Sequence, residues 1–136
     1  MFRTKLSSGP SEGHIVISLH GELDLVDAAA VAAALGALAE RDRWIIVDLS
    51  RLEFIDAAGV GALSRGRRQA RNVGGGLLLT APQPRVQRVL SLIWHADGSG
   101  VEATMAAAVA SAGSPPLRQA RRSGGSLLGS AGRASP

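Results

Sequence analysis

Short apolar runs of strand length alternate along the chain with longer stretches in which apolar residues recur every three or four positions. Phe2 to Leu6 and His14 to Leu19 are strand-like runs. Between them SSGPSEG, rich in glycine, proline and serine, predicts a loop and hence an opening hairpin. In GELDLVDAAAVAAALGALAER, Asp24 and Asp27 precede an alanine-rich helix. Its Val31, Leu35 and Leu38 fall at i, i+4 and i+7, the stripe of a helix lying on a sheet. Trp44 to Leu49 is nearly continuously apolar, as expected of a strand covered on both faces. A short apolar loop then leads to Asp56, placed where a helix N-cap belongs. That helix spans about Ala57 to Asn72, with Gly59 and Gly61 positioned to let another backbone approach its first turn. After Gly74, Gly75 and Gly76, Leu77 to Thr80 reads as another buried strand. Pro84 to Ile93 reads as a third helix with Val86, Val89, Leu90 and Ile93 on one face. Val101 to Ala112 supplies a final short strand and helix.

Strands alternating with helical patterns imply an α/β fold: a largely parallel sheet with helices packed on it, extended at one edge by the hairpin. A chain of 136 residues, 46% apolar, fits one modest core. That core is expected in residues 1–112. From Gly113 the composition turns to Ser, Gly, Pro and Arg, with only Leu117, Leu127 and Leu128 offering bulky apolar area. Residues 113–136 therefore read as a disordered tail, unable to offset their ordering entropy.

Composition narrows the chemistry. Without cysteine there is no disulfide framework, thiolate metal site or cysteine nucleophile, and His14, His20 and His95 lack metal-ligand spacing. No Ser and His pair lies near an acid, and GGG at 74–76 is neither placed nor followed like a Walker motif. Neither enzyme nor cofactor is expected. FRTKLSSG lacks an apolar signal core, and no run approaches the roughly 18 apolar residues of a membrane span, so a cytoplasmic protein is expected. The net charge of +4 invites a nucleic-acid reading, but residues 1–110 hold eleven basic and eleven acidic residues. The excess is Arg118, Arg121, Arg122 and Arg133, too dispersed for a strong nucleic-acid or membrane site. Base-stacking aromatics are scarce, with only Phe2, Trp44, Phe54 and Trp94. No direct nucleic-acid partner is expected.

GELDLVDA at 21–28 and DLSRLEFIDAAGVGAL at 48–63 together resemble the two signature segments of the STAS domain, specifically the stand-alone bacterial anti-sigma factor antagonists. The resemblance spans roughly residues 1–110, and the second segment is much the more specific. It implies a STAS-like mixed β-sheet with helices chiefly on one side and a role in partner switching. In that scheme the antagonist binds an anti-sigma factor that is itself a serine kinase, and so frees a sigma factor. The implied contact surface is Asp24, Asp56, Ala57, Ala58, Gly59 and the adjoining Val60. The family's second segment usually carries Asp, two hydroxyl residues and Gly, the second hydroxyl being phosphorylated to turn the antagonist off. Here Asp56 and Gly59 flank Ala57 and Ala58, so that switch has no acceptor oxygen. The competing consequences are a permanently active antagonist, a degenerate decoy or stressosome-like scaffold component, and a partner outside sigma-factor control, as in a STAS subunit regulating a transport ATPase. A weak homodimer is a further expected association.

Each residue also has a plainer reading. Asp56 serves as a helix cap worth about 1 kcal/mol, and Asp24 as a loop or cap residue. Ser50, in the loop after the strand, and Ser64, within the helix, do not replace Ala58 geometrically. Arg65, Arg67, Arg68 and Arg71 read as a solvated face suited to the negative end of the helix dipole. Trp94 with His95 reads as a core residue or a partly exposed anchor.

Overall fold

The computed structural model describes residues 2–8, 14–94 and 100–113, the first of these segments by its backbone. The loop between the first two strands, His95 and the tail arginines Arg118, Arg121, Arg122 and Arg133 lie outside the described residues. The elements run β1 (Phe2–Ser8), β2 (His14–Leu23), α1 (Leu25–Leu38), β3 (Trp44–Ile55), α2 (Ala57–Asn72), β4 (Gly76–Thr80), α3 (Pro84–Ile93), β5 (Val101–Glu102) and α4 (Met105–Ser111). They form one five-stranded sheet in the order β1-β2-β3-β4-β5. β1 is antiparallel to β2, and β2 through β5 are mutually parallel. The expected mixed sheet with an N-terminal hairpin is the observed one.

Period-two alternation sets which helix covers which face. Ile17, Leu19, Ile45, Val47, Leu49, Leu77 and Leu79 join one buried cluster with Val31 and Leu35 of α1, Val60 and Leu63 of α2, and Val86 and Leu90 of α3. The intervening Trp44, Ile46 and Leu78 meet Ala108 of α4 on the other side, with Val16, Met105 and Val109 packed around them. Three helices therefore share one face and a short fourth covers part of the other. Each fully buried leucine or isoleucine contributes roughly 1.5–3 kcal/mol, so β3 and β4, buried on both sides, are the thermodynamic centre of the fold.

Two expectations need correction. β3 does not stop at Leu49 with a loop behind it; the strand runs on to Ile55. Between the pairs Ser18/Asp48 and His20/Arg51, β2 advances by two residues and β3 by three, and between Gly21/Leu52 and Glu22/Phe54 by one and two. These bulges place Leu49, Leu52 and Ile55, spaced by three, all in the core. The stripe foreseen on α3 also ends early, because Val86 and Leu90 are buried whereas Ile93 is 46% exposed.

Candidate functional site

β2 and β3 end side by side, Leu23 opposite Ile55, and each feeds directly into a helix. The first turns of α1 and α2 are thereby neighbours at the carboxyl end of the sheet, each capped by an aspartate with extended backbone. Asp24 Oδ1 accepts the Val26 N–H at 3.1 Å. Asp56 does more: its Oδ1 accepts the Gly59 N–H at 2.8 Å, while its Oδ2 accepts the Leu25 N–H at 3.2 Å from the other helix. The Asp56 N–H in turn donates to Leu23 O at 3.3 Å. One residue thus caps its own helix and ties it to the start of the neighbouring one.

Gly59 explains how close the two connections lie. A Cβ there would stand 2.6 Å from Leu23 O and 2.8 Å from Ile55 Cγ1, so the first turn of α2 rests on the end of β2 with no room for a side chain. Gly61, expected to play a similar part, does not: a Cβ there meets nothing nearer than Arg65 Nη1 at 3.9 Å. The difference is rotational, since Gly59 faces the sheet and Gly61 sits two positions round the helix.

Of the six residues expected at the contact surface, the structure brings Asp24, Asp56, Ala57 and Ala58 together at this corner. Ala57 is exposed, and Ala58 is half-buried against the edge of the core. Gly59 is buried, and Val60, 1% exposed, belongs to the core rather than to the surface. Two residues not singled out from sequence lie at the same corner: Leu25 is 74% and Val26 85% exposed. The available signal was their place one and two residues after the cap, off the stripe of Val31 and Leu35. The corner offers shape and carboxylates, with no side-chain hydroxyl at positions 57 and 58.

The remaining sequence candidates lie elsewhere. Ser50 is exposed within β3; its N–H donates to Asp48 Oδ1, and its carbonyl accepts Gln83 Nε2 at 2.8 Å. Ser64 lies two turns along α2 from the cap. The arginine cluster divides. Arg65, Arg68 and Arg71 are exposed, but Arg67 is only 4% exposed, correcting the solvated reading at that position. Its guanidinium carbon lies 5.4 Å from the centre of the half-buried Trp94 ring, and a Cβ on Gly100 would stand 3.1 Å from the same carbon. Arg67 therefore joins α2 to the end of α3 by a cation–π contact. Among the described residues no group of three or more His, Asp or Glu is placed to hold a metal ion, and no helix is long and apolar enough to cross a membrane.

A mixed sheet whose two adjacent strand-to-helix corners are locked by one aspartate defines a class of small α/β domain. A family model described as "Mlab, STAS domain" matches residues 9–97, and the chain belongs to the STAS domain family. BtrV of Bordetella bronchiseptica, which bears the name of an anti-sigma factor antagonist, is 29% identical over 89 residues, covering 65% of this chain and 77% of BtrV. Among solved structures, the Bacillus anti-sigma factor antagonist SpoIIAA in its unphosphorylated form is 26% identical with a TM-score of 0.63, over 79% of this chain and 93% of SpoIIAA. An anti-sigma factor antagonist from Mycobacterium paratuberculosis, 24% identical, has a TM-score of 0.68 over 82% of this chain and 94% of its own. That similarity concerns the fold.

Proposed function

We propose that the protein is an anti-sigma factor antagonist that acts by binding, in the cytoplasm and without catalysis of its own. Its domain, residues 1–112, presents the corner formed by Asp24, Asp56, Ala57 and Ala58 to a kinase-type anti-sigma factor, which then releases a sigma factor. The names of BtrV and SpoIIAA support this role. The observation that carries the mechanism is the alanine at position 58, set at the start of α2 two residues after its cap. A phosphoryl group there would add about −1.5 to −2 charges close to Asp56, opposing a partner that accepts those carboxylates. Alanine has no oxygen to phosphorylate, so the antagonist stays competent to bind, and its abundance sets its effect. A small apolar residue also keeps the helix start in its uncharged shape, whereas Asp or Glu would resemble the phosphorylated form.

The test is a binding assay of the purified protein against the kinase-type anti-sigma factors of its source organism, with ADP or ATP, beside an Ala58→Ser variant. The native chain is expected to bind and to remain bound with ATP, while binding of the serine variant decays as it is phosphorylated. Absence of binding by both forms to every such factor would refute the sigma-factor role and leave a transport ATPase or a scaffold as the partner.

A further inference from the structure

Val26 and Leu25 are exposed to 85% and 74%, although α1 already has a complete inner face in Ala28, Val31, Ala32 and Leu35. Among the described residues these two side chains join neither core cluster, yet their backbone is fixed twice. The Leu25 N–H donates to Asp56 Oδ2 and the Val26 N–H to Asp24 Oδ1. An apolar pair carried on a fixed backbone has already met the backbone part of the ordering cost that binding otherwise exacts. Around it stand the carboxylates of Asp24, Asp27 and Asp56, none of which has an ion-pair partner among the described residues.

We propose that Leu25 and Val26 are the apolar anchor by which this chain holds its partner, and that the partner's matching surface is an apolar depression rimmed by Lys or Arg. The proposal rests on the antagonist reading and identifies what that partner must recognise. Charge complementarity selects this occupant over a second copy. A two-fold contact between identical corners would bring Asp24, Asp27 and Asp56 toward their own counterparts, whereas a basic rim pairs with them. Asp56 is then a positioning residue for the anchor, since it fixes the backbone of Leu25 and the start of α2 together.

The experiment uses the full chain and kinase-type anti-sigma factors with ADP as probes, with affinity read by calorimetry and self-association by light scattering. A Leu25→Ser/Val26→Ser double variant is compared with Leu92→Ser, which removes an equally exposed (81%) apolar side chain from the end of α3, and with Ala58→Glu. The double variant is expected to bind about 30-fold or more weakly, with an unchanged unfolding midpoint, while Leu92→Ser binds like the native chain. Double-variant binding within about threefold of native, with Ala58→Glu abolishing it, would overturn the anchor and leave the antagonist reading standing. Loss of self-association with partner binding intact would overturn it in favour of a second copy. Absence of binding by the native chain would overturn both.

Discussion

Gly59 and Gly61 lie on the same turn of α2, yet alanine is expected to shift stability in opposite directions at the two positions. Alanine is favoured over glycine in a helix by about 0.5–1 kcal/mol, and at Gly61 little opposes that gain, because the nearest atom to a new Cβ is the end of the Arg65 side chain at 3.9 Å. At Gly59 the same Cβ would lie 2.6 Å from Leu23 O, 2.8 Å from Ile55 Cγ1 and 3.0 Å from Leu23 Cγ. The first of these is main chain and also accepts the Asp56 N–H, so relief must move the end of β2 and weaken that bond. Overpacking of this kind costs about 1–3 kcal/mol, and the disturbed hydrogen bond adds about 0.5–1.5 kcal/mol. Gly59→Ala is therefore expected to lose roughly 0.5–4 kcal/mol net of the propensity gain. Gly61→Ala should gain about 0.5–1 kcal/mol. Urea unfolding followed by far-UV circular dichroism measures both, with equal m-values required for the comparison. A Gly59→Ala protein as stable as the native chain, or a shift of the same sign in both variants, would refute the claim that α2 begins in contact with the end of β2.

The two carboxylate oxygens of Asp56 separate in a second pair of variants. Asp56→Asn keeps an acceptor for Gly59 N–H but presents an amide to Leu25, so it should cost about 0.5 kcal/mol, against about 1–2 kcal/mol for Asp56→Ala; an Asn variant as stable as the native chain in thermal unfolding would exclude the bridging role. Arg67→Gln removes the guanidinium from Trp94 and leaves a shorter side chain in its place. It is expected to cost about 1–3 kcal/mol, with a change in Trp94 fluorescence measured in a Trp44→Phe background, and a surface-like effect below about 0.5 kcal/mol would contradict its burial.

The elements with one clear period were legible from the residues. Pro84 to Ile93 keeps the bounds read for it, though its apolar stripe ends at Leu90, the buried run of β4 stands, and both aspartate caps form the bonds expected of them. The end of β3 was not legible, because its bulges turn strand alternation into Leu49, Leu52 and Ile55, a spacing of three that matches neither a strand nor a helix. Arg67 was misjudged for a different reason. Its charge outweighed its place in the series Val60, Leu63, Arg67 and Ala70, which shares one inner face of α2. The motif residues Asp56, Ala57 and Ala58 fall at the strand-to-helix corner, but Val60 follows Gly59 in sequence only and turns inward. Leu25 and Val26 escaped notice because exposure of an apolar residue beside a cap depends on how α1 is rotated on the sheet.

Spatial strand order and chain order coincide here. Every strand is laid down beside its immediate predecessor, and none has to be inserted between two that are already paired. Such a topology favours short-range closure and stepwise growth from the N-terminal side. Both aspartate-capped helix starts lie within residues 14–72, ahead of β4, α3, β5 and α4. The later third of the domain closes the open edge of β3 and fills the core beneath the helices. The corner is thus encoded ahead of the strands and helices that complete the core around it.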